Sequence, residues 1–581
     1  MRQSISLNLP ENWAYLFERI GGLFTVTELA LLFLVLVLAF AVPRAGRSVF
    51  VRIEQAAGSL LHNPVRQLLA IAVLAVLARA VFLPWLGPPV PIFGDEHSQM
   101  LQAQTFLEGR LANPTPPFWE HFEEVHINVI PSYASMYFPG RGLPMAAGLL
   151  IADNAWIGIW LAVILMCVAA VWMLQGWVAP PFAFLGGLLV VLRLGTFSYW
   201  INGYLGGAFT AIGGMLVLGA MPRWLREPGW GNGAWMGLGA LILMISRPFE
   251  GVLLCLPVGI VVFVKLLRTR KPSLVRDLMK IAVPVAAFVA IGAGFLMAYN
   301  KATTGSVLFS PYDLNRHMYA TSPAFLTADE PDGEKRGPAH FKEFYKWEHG
   351  YYERGGSPRK FLLSAAGKVY DSWYFYVGFI LMPAFLAGIW ALRRDYELFF
   401  IGGVFYVGYA FETWNFPHYT APVFAVFLVF TMKGFEWLRS WRPWGRDCGL
   451  FLTRGMPAAT LLTLVVPASS VIAGWPPLVS NQFNKPCCAL RQSTVRSEIA
   501  AKLDATPGRD LVLVENDGYP VHEPLIYNEP DIGKEPVIWA NRLGPAKDAP
   551  MIAYFSGRVV WDLEWEKDGS YKLIRRSRLG Q

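Results

Sequence analysis

The chain has 581 residues, of which 54% are hydrophobic and 16% charged, with a mean hydropathy of +0.37. Soluble domains carry roughly 25% charged residues, so an ordinary soluble enzyme is excluded. The 50 Lys and Arg against 42 Asp and Glu leave a net charge of +8; in so apolar a chain that excess orients loops at a membrane rather than tracking a nucleic-acid backbone.

Apolar runs, each near the roughly 20 residues that cross a bilayer core as a helix, recur at 23–42, 67–86, 154–175, 180–197, 204–221, 233–247, 249–267, 279–298, 371–391, 398–412, 418–434 and 455–474. They predict about twelve transmembrane helices. Arg2, Glu11, Glu18 and Arg19 precede the first run and no small-residue cleavage site follows it, so it reads as an uncleaved helix rather than a signal peptide. Between the runs, 43–66 holds Arg44, Arg47, Arg52 and Arg66 against Glu54, and 265–280 holds Lys265, Arg268, Arg270, Lys271, Arg276 and Lys280 against Asp277. Both belong on the cytoplasmic side. Counting through the spans puts Arg223 and Arg226, Arg393 and Arg394, and the stretch 433–446 there too. The acidic segment 87–142, the segment 299–370 and the tail 475–581 then fall on the outer face with both termini.

In the tail, Leu511–Glu515, Pro536–Ala540 and Arg558–Trp565 read as strands between Gly, Pro and Asn turns, with room for one or two helices. This makes 475–581 a separate small α/β domain, after 1–66 (an extra helix and a basic loop) and the membrane domain 67–474. The five cysteines give no disulfide or zinc framework: Cys167 and Cys255 lie in apolar runs, Cys448 among basic residues, and Cys487 and Cys488 are adjacent.

The segment with most chemistry is Ile92-Phe93-Gly94-Asp95-Glu96-His97, just past the second run. Met100, Leu101, Ala103, Phe106, Leu107 and Leu111 then form a rough helical stripe ending near Gly109, which suits a helix lying in the interface. At its N-terminus Asp95 and Glu96 can cap it and answer its dipole, a contribution of about 0.5–2 kcal/mol. Alternatively, a partly desolvated carboxylate there can take a proton from an acceptor hydroxyl or amine as a general base. An anionic group held at the outer boundary would need cations there. Arg141, Arg193 and Arg247 fall near that side, and Arg247 can also pair with Glu250 across Pro248. The bland role for Arg193 and Arg247 is snorkelling or a structural ion pair. Arg316, His317, Lys342 and Lys346 are further cations on a loop whose charges mostly face solvent. His418 and Tyr419 stand at the outer end of a run, where a sugar or phosphate contact competes with ordinary interfacial anchoring. Asp95, Glu96, His97, Glu123, Glu124 and His126 leave room for a divalent cation, though no spacing assembles them and no cofactor is required.

The Asp-Glu pair opening the first large outer loop, followed by a juxtamembrane helix with Ala103 and Gly109 at its end, resembles the integral-membrane GT-C glycosyltransferases. The resemblance is to their protein mannosyltransferase and aminoarabinose transferase branch. Tyr137-Phe138-Pro139-Gly140-Arg141-Gly142-Leu143-Pro144 and Pro417-His418-Tyr419-Thr420-Ala421-Pro422 resemble two later segments of that family, and the likeness spans roughly 67–434. It implies an all-α polytopic fold that moves a sugar from a polyprenyl-phosphate donor to a protein, lipid or glycan acceptor, with inversion. Asp95 would be the base and Glu96 its neighbour, or the residue that positions the acceptor. Tyr137, Arg141, Arg193, Arg247, Glu250, Arg316, His418 and Tyr419 are the candidate contacts to donor or substrate. The expected setting is a bacterial inner membrane, with the active site outside the cytoplasm and no nucleic-acid partner. The rival readings are a transporter or lipid flippase whose path is lined by Arg193, Arg247 and Glu250, and a non-catalytic relative that binds glycans through its outer loops and tail.

Overall fold

The computed structural model describes residues 22–58, 62–269, 274–331, 335–473, 486–488, 493–505, 507–515, 518–566 and 570–576. The expectations for Arg2 to Arg19, for Arg270 and Lys271, and for the start of the tail lie outside the described residues. Each predicted apolar run contains a helix. Among the described residues seven helices are long and apolar enough to cross a membrane: Phe24–Ala41, Ala155–Leu174, Gly207–Arg226, Pro248–Arg268, Leu274–Thr304, Ala421–Ser440 and Cys448–Ile472. The bent pair Pro358–Tyr376 and Gly378–Ala391 makes eight if it is one span. The other four of the twelve runs hold the shorter helices Pro64–Ala80, Pro180–Leu194, Trp230–Ser246 and Tyr396–Tyr409, of 17, 15, 17 and 14 residues, which join the same two ends of the bundle. Large apolar side chains such as Phe33, Val252 and Ile291 point outward from the bundle, as they do where the solvent is lipid. The chain is a multi-pass membrane protein.

Helix Pro358–Tyr376 stops at Val377, Gly378 takes φ +69°, and the next helix leaves at 105°. Carbonyls freed by a broken helix must be met from elsewhere. Arg193 does this, its Nε donating to the Phe375 carbonyl at 2.8 Å and its Nη2 to that of Tyr374. Glu28 balances the charge with an Nη1···Oε1 distance of 2.6 Å. Elsewhere small residues let helices touch: a Cβ on Gly388 or Gly434 would collide with the backbone carbonyls of Phe430 and Ala384.

The basic loops gather at one end of the bundle. Arg439 and Arg454 both reach Glu54, Ala179 N donates to Glu436, Arg226 reaches the Gly176 carbonyl, and Lys265 pairs with Glu397. The opposite end carries the other three segments. In the first outer loop, strands β1 (Asn113–Pro114), β2 (Ile127–Asn128) and β3 (Ser132–Ser135) form a small sheet in the order β1-β3-β2. In the tail, β4 (Asp510–Val514), β5 (Val537–Asn541), β6 (Val559–Trp565) and β7 (Tyr571–Arg575) are ordered β5-β4-β6-β7, with β4 parallel to both neighbours.

Period-2 alternation splits this second sheet between two cores. Val512, Val514, Val537 and Trp539 pack on Ile499 and Leu503 of the tail's own helix. Leu511, Leu513, Ile538 and Ala540 pack instead with Leu101, Phe122, Ile127 and Tyr133 of the first outer loop. The tail therefore has a core of its own on one face of the sheet and shares the core on the other face with the first outer loop. Cys487 and Cys488, adjacent in sequence, are joined to each other beside Phe24, Leu86 and Phe197.

Candidate active site

Helix Gly94–Leu107 starts on a glycine for a steric reason. A Cβ at Gly94 would lie 2.8 Å from both the Tyr527 hydroxyl of the tail and His126 Nδ1. The helix buries Glu96, Ser98, Gln99, Gln102 and Thr105, so it is packed into polar partners more than it floats at an interface. The two carboxylates at its head have separate tasks. Glu96 is the cap: Oε2 accepts from Ile92 N at 2.7 Å and Phe93 N at 3.3 Å, and Oε1 from Tyr204 N at 2.6 Å. Burial pushes its carboxyl above the usual range, held back by these three N–H groups. Glu96→Gln can satisfy only one side of this set, leaving a buried N–H facing an amide donor. We expect it to cost about 1–3 kcal/mol of stability, read as a lower Tm of the purified protein.

Asp95 faces the other way, into a cavity of about 320 Å³ at the end of the bundle that carries the outer loops. The Tyr137 hydroxyl donates to Asp95 Oδ1, and His126 Nδ1 lies 4.0 Å from Oδ2. Burial alone would raise the Asp95 carboxyl, but His126, Arg141, the Tyr137 hydrogen bond and Arg247 together hold it below the ordinary Asp value. Two guanidiniums stand behind tyrosine rings of the cavity wall: Arg141 lies 4.3 Å from the Tyr137 centroid and Arg247 3.6 Å from that of Tyr419. Arg247 Nη1 meets Glu250 Oε1 at 2.6 Å, the pairing the spacing suggested, while Arg247 Nη2 has no hydrogen-bond partner among the described residues. His418 lines the cavity with its Nδ1 3.1 Å from the Tyr199 hydroxyl; burial, then Arg247 and Arg141, push its imidazole well below the usual range. Arg316 lines the wall too, paired with Glu348.

Of the candidates read from sequence, Asp95, Tyr137, Arg316, His418 and Tyr419 line one cavity, with Arg141 and the Arg247–Glu250 pair standing behind its tyrosines. Glu96 is turned into its own helix start, and Arg193 lies at the bend, outside the cavity wall, where it has the structural ion-pair role. His317, Lys342 and Lys346 are on the solvent face. The hard-ligand set is dispersed: Glu123 accepts from Tyr319 at 3.0 Å, Glu124 lies 3.2 Å from His340 Nε2, and His97 stacks on Tyr527 at 4.5 Å. No group of three or more His, Cys, Asp or Glu converges among the described residues. Sequence reasoning missed His126 as a neighbour of Asp95. It also missed Tyr312, Asn315, Phe344, Tyr345, Trp347 and Tyr351 from segment 299–370, and Val521 and His522 from the tail. The one local signal was Trp347 with Tyr351, four apart on helix His340–Tyr352 and so on one face.

Fold and site together define a multi-pass membrane protein whose connecting segments enclose a carboxylate backed by arginines. No family model and no curated protein matches the sequence. Among solved structures, the chain is similar to the Archaeoglobus fulgidus oligosaccharyltransferase tethered with an acceptor peptide, at 11% identity over 88% of this chain and 74% of that one, TM-score 0.46. It is also similar to ArnT from Cupriavidus metallidurans in the apo state, at 12% identity over 86% and 93%, TM-score 0.47, and to the same protein bound to undecaprenyl phosphate, at 12% over 84% and 92%, TM-score 0.42. Both proteins are GT-C glycosyltransferases. With TM-scores below 0.5, these likenesses carry no argument for the chemistry of this chain, which rests on its own residues.

Proposed function

We propose that the protein transfers a sugar from a polyprenyl-phosphate-linked donor to an acceptor bound in the Asp95 cavity. The observation that carries the reading is Asp95 itself, a carboxylate favoured as the anion at a cavity wall and free of the capping duty that Glu96 performs. In a single displacement, Asp95 takes the proton of an acceptor hydroxyl or amine as that atom bonds to the anomeric carbon. The bond from the anomeric carbon to the phosphate oxygen breaks with inversion, and the charge left on the lipid phosphate is met by Arg141 and Arg247. The donor class follows from the resemblance of the Asp95-Glu96 loop to GT-C enzymes. On this reading the basic loops at the opposite end face the cytoplasm and the cavity opens on the extracytoplasmic face of a bacterial inner membrane.

The test uses membranes containing the full chain and a labelled polyprenyl-phosphate sugar. Label moves to an acceptor with wild type and not with Asp95→Asn; label that crosses the membrane while staying on the lipid would make the protein a flippase instead. A second measurement follows the base. The Tyr137 hydroxyl stabilises the carboxylate, so Tyr137→Phe raises the Asp95 pKa. The acid limb of the pH–rate profile is expected to move to higher pH, with the rate at the alkaline plateau changed less.

A further inference from the structure

One side of the cavity has no part in the transfer step described above. Trp347 and Tyr351, on one face of helix His340–Tyr352, meet Trp414 at centroid distances of 5.7 and 5.2 Å. Trp414 continues to Phe416 at 6.1 Å, and Phe416 stacks on His418 at 5.6 Å with the planes only 7° apart. The tail closes the outer end, where His522 lies edge-on to Trp347 at 4.8 Å. The result is a row of rings running from the tail to the cavity floor. Trp347 keeps 39% of its surface exposed, although a partly covered tryptophan gains by being buried.

We propose that this row is a stacking subsite for a sugar ring, built jointly by segment 299–370, the segment 414–418 and the tail. A pyranose presents an apolar C–H face to an aromatic plane and hydroxyls at its edge. The wall offers both complements, since Asn315, Tyr345 and His522 stand among the rings. A cavity of about 320 Å³ is at the small end of the ~300–1,000 Å³ range of small-ligand sites, which suits one ring rather than a long acyl chain. Charge is scarce in the lining, limited to Asp95 and the paired Arg316, which suits an uncharged ring. The proposal rests on the transferase reading for its place in the reaction, where the ring belongs to the donor's sugar or to a glycan acceptor.

The experiment is saturation-transfer NMR on the full chain in lipid nanodiscs with methyl glycosides of glucose, galactose, mannose and N-acetylglucosamine. At least one glycoside should receive saturation, strongest on its C–H face. The signal should fall at least fivefold in Trp347→Leu and in His522→Ala, two partly exposed positions whose variants keep the wild-type Tm. A polyprenyl-phosphate-linked sugar that displaces the glycoside assigns the ring to the donor; a glycoside left in place assigns it to the acceptor. Absence of transfer to every glycoside, equal transfer in both variants, or displacement by n-octanol would overturn the subsite. If Asp95→Asn still transfers sugar while the losses in Trp347→Leu and His522→Ala hold, the assignment of the base fails and the subsite stands.

Discussion

Asp95→Asn is expected to lower sugar transfer by about 10²–10⁴-fold, the range typical for removing a general base. The substitution is nearly isosteric, and the Asn oxygen can still accept from the Tyr137 hydroxyl, so the cavity keeps its shape. What disappears is the ability to hold the acceptor's proton. The sign of the accompanying stability effect is fixed by the direction of the shift. Because the folded-state pKa of Asp95 is depressed, the ionised carboxylate contributes stability that is fully present above its unfolded pKa and lost as pH falls through the folded one. The Asn variant should therefore lose some stability at neutral pH and show a flatter pH dependence in the acid range. Transfer by Asp95→Asn at more than a tenth of the wild-type rate, measured on correctly folded protein, would remove the base assignment.

Arg193→Met is expected to cause the largest loss of stability, about 3–5 kcal/mol, the cost of leaving one member of a buried ion pair unbalanced. Glu28 would be a carboxylate among apolar helices, and the carbonyls of Tyr374 and Phe375 at the bend would lose their donor. Replacing Glu28 by Gln in the same chain should recover part of the loss, since the buried charge is then gone while the carbonyls remain unmet. Thermal unfolding in detergent reads both variants. Donor KM separates this role from phosphate binding: the surviving folded fraction of Arg193→Met should keep the wild-type KM, whereas Arg247→Met should raise it. A raised KM with an unchanged Tm in Arg193→Met would return Arg193 to the site.

The contrast between these two arginines shows what a sequence makes legible. Arg247 and Glu250 are three residues apart across a proline, and local spacing was enough to pair them. Arg193 finds Glu28 at a separation of 165 residues, and nothing local announces it. The same division runs through the fold. Apolar runs are local and marked the helices of the bundle, and alternating runs placed three of the four tail strands within a residue. The sharp bend at Gly378 was not legible, because the run 371–391 looks continuous in composition. The carboxylate loop and the Tyr137–Arg141 segment could be found because their residue types are unusual in so apolar a chain. The aromatic wall and His126 could not, since Trp and Tyr are ordinary at membrane boundaries and only folding brings segments 126, 347, 414 and 522 into one cavity.

Gly94 and Tyr527 set a timetable for the molecule. The Tyr527 hydroxyl donates to the Val125 carbonyl at 2.7 Å, and its ring stacks on His97, two residues beyond Asp95. Residues 494–576 leave the ribosome after every candidate span, yet they supply the final support for the helix that carries Asp95 and one edge of the cavity beside it. During biosynthesis the membrane bundle can be fully inserted while this carboxylate is still incompletely held. On the transfer reading, a chain caught midway through assembly would then occupy the membrane with its base incompletely supported until the tail docks.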